Sequence, residues 1–215
     1  MKKNNFIIGS TGFIGSEIRK FSVHDFIYVD RNLLDLSKKN NIKNYFEQFN
    51  KIDFIIFLVG LVHQNGKKAS YKQHFETNYI TLKNLLLTLE EIKKPPENLI
   101  FTSTVNVYGT EIDSKIFNED SQTAPKTSYS LTKKLAEELL INQNLVNYWI
   151  LRLAPVYSRS FQLNIKSRTK YLNLFYRPMI NNISFSLCNA KNITVAIDKI
   201  LEGKIPTGIY NISDN

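Results

Sequence analysis

Cysteine and histidine are scarce in this sequence. Among its 215 residues there are one cysteine, Cys188, and three histidines. A lone cysteine excludes an intramolecular disulfide and fits a reducing compartment. The cysteine and the histidines also lack the spacing of metal ligands. The sequence therefore predicts neither a disulfide-stabilised fold nor a metal site.

Long apolar runs are also missing. No stretch approaches the roughly 20 apolar residues that a transmembrane helix needs. The apolar run FIIG near the amino terminus is too short for a signal peptide, and glycines interrupt it at once. We therefore expect a cytoplasmic protein without a membrane span.

Positive charge is in excess, but it is scattered along the chain. Lysine and arginine number 28 against 19 acidic residues, which gives a net charge of +9. The basic residues do not form one block, so we predict no nucleic-acid partner from the charge alone. A mild positive field attracts anionic small molecules such as nucleotide diphosphates. The hydrophobic content of 43% is ordinary for a soluble globular domain.

Short apolar runs alternate with amphipathic stretches through most of the chain. This alternation is typical of an α/β fold in which helices cover both faces of a parallel sheet. We therefore predict a Rossmann-type, doubly wound parallel sheet. The predicted strands are 6–9, 26–30, 53–60, 98–104 and 147–153. The first predicted helix begins at residue 12, and three further helices are predicted over 38–49, 71–92 and 126–144.

The pattern loosens after Pro155. Beyond it we predict a strand over 183–187, a helix over 192–201 and a strand over 208–213. We expect a dinucleotide-binding domain over 1–157. The remainder, 158–215, would be an abbreviated substrate-binding portion that partly returns to the sheet domain.

A glycine-rich loop, GSTGFIG, joins the first predicted strand to the first helix. Glycines at 9, 12 and 15 permit a tight turn, a close approach of the backbone to a pyrophosphate, and close packing of the helix on the strand. The N–H groups at the start of the helix attract phosphate, and Ser10 and Thr11 add hydroxyl donors. The loop therefore predicts a dinucleotide site.

An acidic residue, Asp30, ends the second predicted strand. A carboxylate there accepts hydrogen bonds from the adenosine ribose and repels the 2′-phosphate of NADP. Its neighbour Arg31 would instead attract that phosphate. NAD is therefore the favoured cofactor, and use of NADP stays open.

A tyrosine and a lysine share one face of a predicted helix. Tyr129 and Lys133 are four residues apart in TSYSLTKKLAEELL. Ser103 and Thr104 end a predicted strand, at the edge of a parallel sheet where ligands bind. With a dinucleotide nearby, the pair could perform acid–base chemistry. The alternative interpretation is a surface tyrosine and a solvated lysine.

Taken together, these pieces resemble the extended short-chain dehydrogenase/reductases, the group that contains NAD-dependent nucleotide-sugar epimerases, dehydratases and reductases. The matching pieces occur in the order of the family: GSTGFIG, Asp30, DL at 35–36, FIIFLVG, ETNYITLKNLL, TSTVNVYG, YSLTK and LRLAPVY.

The resemblance implies a role for each matched residue. Tyr129 would be the general acid and base, Lys133 would hold the nicotinamide ribose and lower the pKa of Tyr129, and Thr104 would bind the reacting oxygen. Implied cofactor contacts are Gly9, Ser10, Thr11, Gly12, Phe13, Ile14, Gly15, Asp30, Arg31, Asp35, Leu36, Val59, Tyr129 and Lys133. Implied substrate contacts are Asn78, Ser103, Arg168 and Arg177. The family often forms homodimers.

The reaction stays open between two members of the family. Dehydratases resemble one another in an Asp-Glu pair directly after the active-site threonine, where this chain has Val105 and Asn106. A sugar 4-epimerase that keeps NAD bound is favoured, and a 4-ketosugar reductase is the alternative. A function of another class, a scaffold or regulator that binds a dinucleotide without turnover, also stays open.

A basic and aromatic segment follows over 159–177. The resemblance implies that it clamps the nucleotide diphosphate of the substrate, since arginine suits diphosphate and aromatic rings suit a base. A solvated helix with a buried aromatic side is an equal alternative. Peripheral contact with an anionic membrane and contact with RNA rank behind both.

Overall fold

The computed structural model describes residues 3–62, 68–109, 116–171, 174–175 and 186–214, with the backbone alone over 167–175. Its principal strands are β1 (Asn5–Ile8), β2 (Ile27–Val29), β3 (Phe54–Phe57), β4 (Asn98–Thr104) and β5 (Asn147–Leu153). The shorter or later strands are β6 (Val156–Tyr157), β7 (Lys170–Tyr171), β8 (Leu174–Phe175), β9 (Cys188–Asn189) and β10 (Gly208–Ile212).

Helices alternate with these strands. They are α1 (Phe13–Phe21), α2 (Lys39–Phe46), α3, α4 (Ser128–Ile141), α5 (Leu163–Thr169) and α6 (Ala190–Leu201). Helix α3 is continuous from Tyr71–Phe75 through a π-helical turn, Glu76–Ile80, to Thr81–Glu91. A 3₁₀ turn, Val105–Tyr108, follows β4.

Six strands form one parallel sheet in the order β10-β5-β4-β3-β1-β2. The chain runs outward from β1 to β2 and then returns to the other side of β1 as β3. This reversal leaves a crevice outside the carboxyl ends of β1 and β3, which is where ligands bind in open α/β sheets. The sheet confirms the predicted fold class, and β10 lies at its edge beside β5.

Both faces of the sheet are covered, and this explains the apolar character of the strands. All four residues of β3 are buried, with Ile55 and Phe57 packed on one face and Phe54 and Ile56 on the other. One face packs against α2, α3 and α4, and the opposite face packs against α1 and α6. A strand buried on both sides needs apolar residues at every position, so its alternating pattern disappears.

The structure differs from the predicted elements at two places. The strand predicted over 183–187 lies largely outside the described residues; residues 186–187 are not in a strand, and β9 follows them at Cys188–Asn189. The helix predicted over 71–92 is present, but its π-helical turn was not predicted. A π turn adds one residue between hydrogen-bonded groups, and such turns occur frequently at functional sites.

Candidate active site

The glycine loop between β1 and α1 has the conformation that its residues predict. Gly9 has a φ of +85°, and the N–H groups of Gly9 and Ser10 both donate to the carbonyl of Val29 on β2. A Cβ on Gly15 would overlap the backbone of Ser10. The third glycine therefore lets α1 approach the loop more closely than any other residue would allow.

The amino terminus of α1 is open toward the crevice. Gly12 occupies the N-cap position, where it makes no side-chain capping hydrogen bond, and the first turn contains no acidic residue. The N–H groups of a first helical turn carry partial positive charge. Gly12, Phe13 and Ile14 line the crevice at this point, so it offers donors to an anion.

A capping box fixes the start of helix α4. The hydroxyl of Thr127 accepts from the N–H of Ser130, and the hydroxyl of Ser130 accepts from the N–H of Thr127. This places Tyr129 in the first turn of the helix and Lys133 one turn later, on the same face. Both side chains line the crevice.

Lys133 lies between two strands and is 2% exposed. Its Nζ donates to the carbonyl of Val59 at 3.2 Å and to that of Thr102 at 2.9 Å, and it lies 4.7 Å from the ring centre of Phe101. Burial lowers the pKa of Lys133 to about 7, and the negative charge of Glu137 opposes this shift. The ammonium has a third N–H that neither carbonyl uses.

The hydroxyl of Tyr129 has no hydrogen-bond partner among the described residues. Burial raises the pKa of Tyr129 above its ordinary value of 10. The pKa was expected to be lowered, and in the protein alone the opposite holds because burial desolvates the phenol. A bound cation would be needed to reverse that shift. The ring of His74 lies beside this tyrosine, with 6.0 Å between ring centres.

The carboxyl end of β4 adds two hydroxyls with different surroundings. The Oγ1 of Thr104 accepts from the N–H of Asn106 at 3.2 Å, so its proton is left to donate. The hydroxyl of Ser103, for which we predicted a substrate contact, is instead donated to the carboxylate of Glu137. Ser103 thus bonds toward the protein interior. Thr104 lines the cleft, and its contact with the reacting oxygen stays a prediction.

These side chains line one cleft of about 660 Å³. The glycine loop and the segment after β3 line one side, and the end of β4 and the start of α4 line the other. Described residues around it are Gly9, Gly12, Phe13, Ile14, Gly15, Leu58, Gly60, Leu61, Val62, Ala69, His74, Thr102, Ser103, Thr104, Asn106, Thr127, Ser128, Tyr129, Lys133, Leu153, Ala154, Pro155, Val156 and Asn164. The tertiary fold brings the predicted glycine loop and the tyrosine-lysine pair together.

Asn78 lies behind the cleft and is fully buried. It occupies the π-helical turn of α3. Its Oδ1 accepts from the N–H of Leu61 at 2.9 Å, and its Nδ2 donates to the hydroxyl of Thr132 at 3.0 Å. The amide therefore joins the loop after β3 to α4. This position favours a supporting role. Asn78 has no exposed atom with which to make the substrate contact that was predicted.

The orientation of Asn78 also defines the state of His74. Because Oδ1 is fixed by Leu61, the amide NH₂ faces His74 Nδ1 at 3.4 Å. An NH₂ group only donates, so Nδ1 accepts and the proton of a neutral ring lies on Nε2. His74 was missed in the sequence, because a histidine inside an amphipathic helix has no motif that points to a cleft.

The predicted contacts with the adenosine half lie around the ends of β2 and β3. Asp30 accepts at Oδ1 from the N–H groups of Asn32 and Leu33, which leaves Oδ2 outside that turn. Arg31 beside it is exposed, and Val59 offers its carbonyl to Lys133. Asp30, Arg31 and Val59 do not line the cleft. Their contacts with the cofactor therefore stay predictions.

Two further residues predicted to contact the cofactor, Asp35 and Leu36, lie in the segment before α2. Asp35 accepts at Oδ1 from the N–H and the hydroxyl of Ser37, and these bonds lower the pKa of Asp35. Leu36 is 6% exposed and packs into the core. The structure therefore does not bring either side chain to the cleft. Ser10 is buried in the loop, and Thr11 is exposed.

The predicted basic clamp cannot be placed. Arg177 lies outside the described residues, and Arg168 belongs to α5, of which only the backbone is described at that position. Their substrate contacts stay predictions. What the structure does bring to this side of the cleft is Asn164 of α5 and Phe161, whose ring stacks on Phe13 of the glycine loop with 4.3 Å between centres.

A sequence model of the NAD dependent epimerase/dehydratase family matches residues 5–204. This chain belongs to that family. The match confirms the family resemblance and, with it, the expectation of an enzyme of this type. A search of curated proteins finds no match to the chain. No helix of the described residues is long and apolar enough to cross a membrane.

Solved structures of similar fold include enzymes of two activities. A dTDP-4-dehydrorhamnose reductase from Bacillus anthracis, in complex with NADP, has a TM-score of 0.76 at 18% identity and is matched over 100% of this chain and 76% of its own. A UDP-glucose 4-epimerase from Thermus thermophilus, in complex with NAD, has a TM-score of 0.77 at 19% identity. The match covers 98% of this chain and 77% of the epimerase.

A third similar structure is MoeE5 in complex with UDP-glucuronic acid and NAD. It has a TM-score of 0.72 at 18% identity and is matched over 98% of this chain and 76% of its own. At sequence identities of 18% and 19%, the structural similarity establishes only the fold of this chain.

The tight packing of the glycine loop makes a direct prediction. We expect Gly15→Ala to lower the free energy of unfolding by about 1–3 kcal/mol, because the added methyl group overlaps the backbone of Ser10. Gly12→Ala is the matched control, since its Cβ would lie 3.3 Å from the carbonyl oxygen of Gly9 and its backbone is extended. Urea unfolding measures both, and equal losses would contradict this account of Gly15.

Proposed function

We propose that this protein catalyses hydride transfer between NAD and a carbon of a nucleotide-linked sugar, with 4-epimerisation as the favoured outcome. The observation that carries the proposal is the meeting of the glycine loop, Thr104, Tyr129 and Lys133 around one cleft. Each of these features is weak alone. A dinucleotide site next to an acid–base tyrosine supports a dehydrogenase-type reaction.

The residues of the cleft fit a dinucleotide. The glycines at 9 and 12 let the backbone of the loop approach a pyrophosphate, and the open start of α1 offers N–H donors. Lys133 has an N–H left for a ribose hydroxyl after its two carbonyl contacts. The nicotinamide ring, when bound, supplies or accepts the hydride.

The residues at the end of β2 support NAD over NADP. Oδ2 of Asp30 takes no part in the turn that Oδ1 caps, so it can accept from a ribose hydroxyl. Its negative charge would oppose a 2′-phosphate at the same place. Arg31 is exposed beside it and would favour that phosphate. NAD is the proposed cofactor, with NADP as the alternative that Arg31 supports.

Tyr129 is the group proposed to move the proton. When a sugar alcohol is oxidised, its hydroxyl proton passes to the Oη of Tyr129 as the carbon loses a hydride. On reduction the same phenol returns the proton to the ketone oxygen. Burial keeps Tyr129 protonated in the protein alone. A positive charge at the loaded site and the ammonium of Lys133 would stabilise the phenolate.

Thr104 is proposed to orient the reacting oxygen. Its Oγ1 already accepts from Asn106, so the hydroxyl proton can be donated to the sugar oxygen next to Tyr129. Two donors on one oxygen fix its position relative to the hydride path. The cleft wall formed by Thr104 and Tyr129 would thus recognise an alcohol or ketone, whichever sugar carries it.

The surroundings of Thr104 argue against a dehydratase. Val105 packs against the core, and Asn106 presents an amide to the cleft, so no carboxylate pair directly follows the threonine. Elimination needs a general acid and base that these two residues do not provide. Epimerisation and ketosugar reduction both need only the hydride and the tyrosine, and similar structures include enzymes of both kinds.

The first test is a calorimetric titration of the stripped protein with oxidised and reduced NAD and NADP. We expect NAD to bind more tightly, by about tenfold or more, because Asp30 repels the 2′-phosphate. Asp30→Asn should narrow that difference, and Arg31→Ser should widen it. Absence of binding of any form by a folded protein would contradict the proposal and leave a scaffold that retains only the motif.

A second test is Tyr129→Phe with UDP-linked and dTDP-linked sugars as substrates. Loss of the phenol should lower kcat by about 10²- to 10⁴-fold while cofactor affinity changes little. Tyr148→Phe is the matched control, because Tyr148 lies at the amino end of β5, away from the cleft. Turnover that survives Tyr129→Phe would refute the assignment of the acid–base group.

The same substrate screen separates the two reactions. An epimerase converts one sugar into its epimer with no net change in NADH absorbance. A reductase consumes reduced cofactor in proportion to product.

We also propose that two copies of the chain associate through α3 and α4. These helices leave apolar side chains exposed, with Tyr71 at 48%, Leu87 at 37% and Leu131 at 39%. Covering such side chains with a second copy removes apolar surface from water. Sedimentation equilibrium should give the mass of a dimer, and a charged substitution, Leu131→Glu, should give a monomer. A monomeric wild type at micromolar concentration would contradict this.

A further inference from the structure

A buried ion pair lies directly behind the cleft. Glu137 of α4 is fully buried, and Arg152 of β5 is 2% exposed. The guanidinium donates from Nη2 to Oε2 at 2.8 Å and from Nε to Oε1 at 3.1 Å. Such two-point pairing gives both charged groups a hydrogen-bonded partner.

The pair is tied to three other segments. Oε1 of Glu137 also accepts from the hydroxyl of Ser103, which is the neighbour of Arg152 in the register of β4 and β5. Nη1 of Arg152 donates to the hydroxyl of Tyr108 at 2.8 Å and to the carbonyl of Glu119. Groups from α4, β4, β5 and the 3₁₀ turn therefore meet at one buried ion pair.

Two side chains on one face of α4 form hydrogen bonds with the carboxyl-terminal part of β4. Glu137 lies one turn beyond Lys133, so the two side chains are neighbours on α4. Lys133 donates to the carbonyl of Thr102, and Glu137 accepts from Ser103, the next residue. Thr104 then follows at the cleft. The acid and the lysine together determine where the end of β4 lies relative to Tyr129.

Few charged groups lie near Lys133. It meets the carbonyl of Val59 after β3, and the carbonyl of Thr102 and the ring of Phe101 in β4. On its own helix lie Tyr129 and Glu137. Glu137 is faced in turn by Arg152 and by Lys134, whose Nζ lies 3.8 Å from Oε2. Among the described residues Glu137 is therefore the anion placed to stabilise the ammonium of Lys133.

We propose that Glu137 is a positioning residue for Lys133, whose ammonium it keeps charged while it ties the end of β4 to α4. A buried ammonium tends to lose its proton, because desolvation disfavours the charged form. With the pKa of Lys133 near 7, a nearby anion decides whether the group is a cation at neutral pH. The role of Glu137 in catalysis depends on the proposed function, since Lys133 serves catalysis only if the cleft holds a dinucleotide.

The direct test follows the proton on Lys133 in Glu137→Gln. Lysines labelled with ¹³C at Cε are titrated by NMR in the protein without nucleotide, and Lys133 is assigned from its loss in Lys133→Arg. Removing the anion disfavours the ammonium, so the midpoint of Lys133 should fall by about one pH unit. Glu138→Gln removes the same charge from the adjacent exposed position, paired with Lys134, and should leave the midpoint unchanged.

A second variant covers the case in which Glu137→Gln leaves Arg152 uncompensated and unfolds the protein. Glu137→Gln with Arg152→Met removes both charges. The midpoint of Lys133 should again fall, but by less, because losing the Arg152 cation partly offsets losing the anion. A midpoint equal to that of the wild type in the folded double variant, or equal shifts in Glu137→Gln and Glu138→Gln, would overturn the proposal.

Nucleotide binding is measured separately. With NAD as the probe at pH 8, we expect Glu137→Gln to bind up to about tenfold more weakly, because more of Lys133 is neutral there. The difference should vanish below about pH 5, where Lys133 is charged in both proteins. A loss of affinity that is constant with pH would mean that the acid has only a structural role. Failure of the wild type to bind NAD would contradict the proposed function instead.

Discussion

One buried cation holds the candidate site together. Lys133 donates to the carbonyl of Val59, just after β3, and to that of Thr102, within the neighbouring strand β4. A buried ammonium is unfavourable unless hydrogen bonds and a counter-charge compensate it. These contacts explain why the lysine can be buried, and its burial in turn fixes the distance between the end of the sheet and α4. The cleft has its shape because this charge must be satisfied.

The other buried polar groups serve the same junction. Asn78 in the π-helical turn binds both Leu61 and Thr132, so α3, the loop after β3 and α4 are linked by one amide. Glu137 links α4 to the end of β4. Each partner comes from a different element, and each bond is made away from water. Polar networks that are fully satisfied in this way specify one arrangement of the elements, which an acid–base site requires.

Much of the fold could be predicted because its signals are local. The strands at 98–104 and 147–153 have the predicted bounds, since each contains a continuous apolar run, LIF or YWIL, of the kind that a strand buried on both faces favours. The glycine loop was predicted from spacing that has a steric cause at Gly15. The supporting residues could not be predicted in the same way. Glu137 in KKLAEELL looks like one more charge on a solvated helix, and neither His74 nor the π turn has a sequence signature.

The sequence by itself determined the α/β class, the loop that suits a pyrophosphate, and the common helix face of Tyr129 and Lys133, because each depends on residues close together in the chain. Only the tertiary structure decided which side chains reach the cleft. It turned Ser103 toward Glu137, placed Asn78 behind the site, and left Asp35 and Leu36 outside it. The physical reason is that burial and hydrogen bonding depend on partners 17 to 54 residues away, as the contacts of Asn78 illustrate.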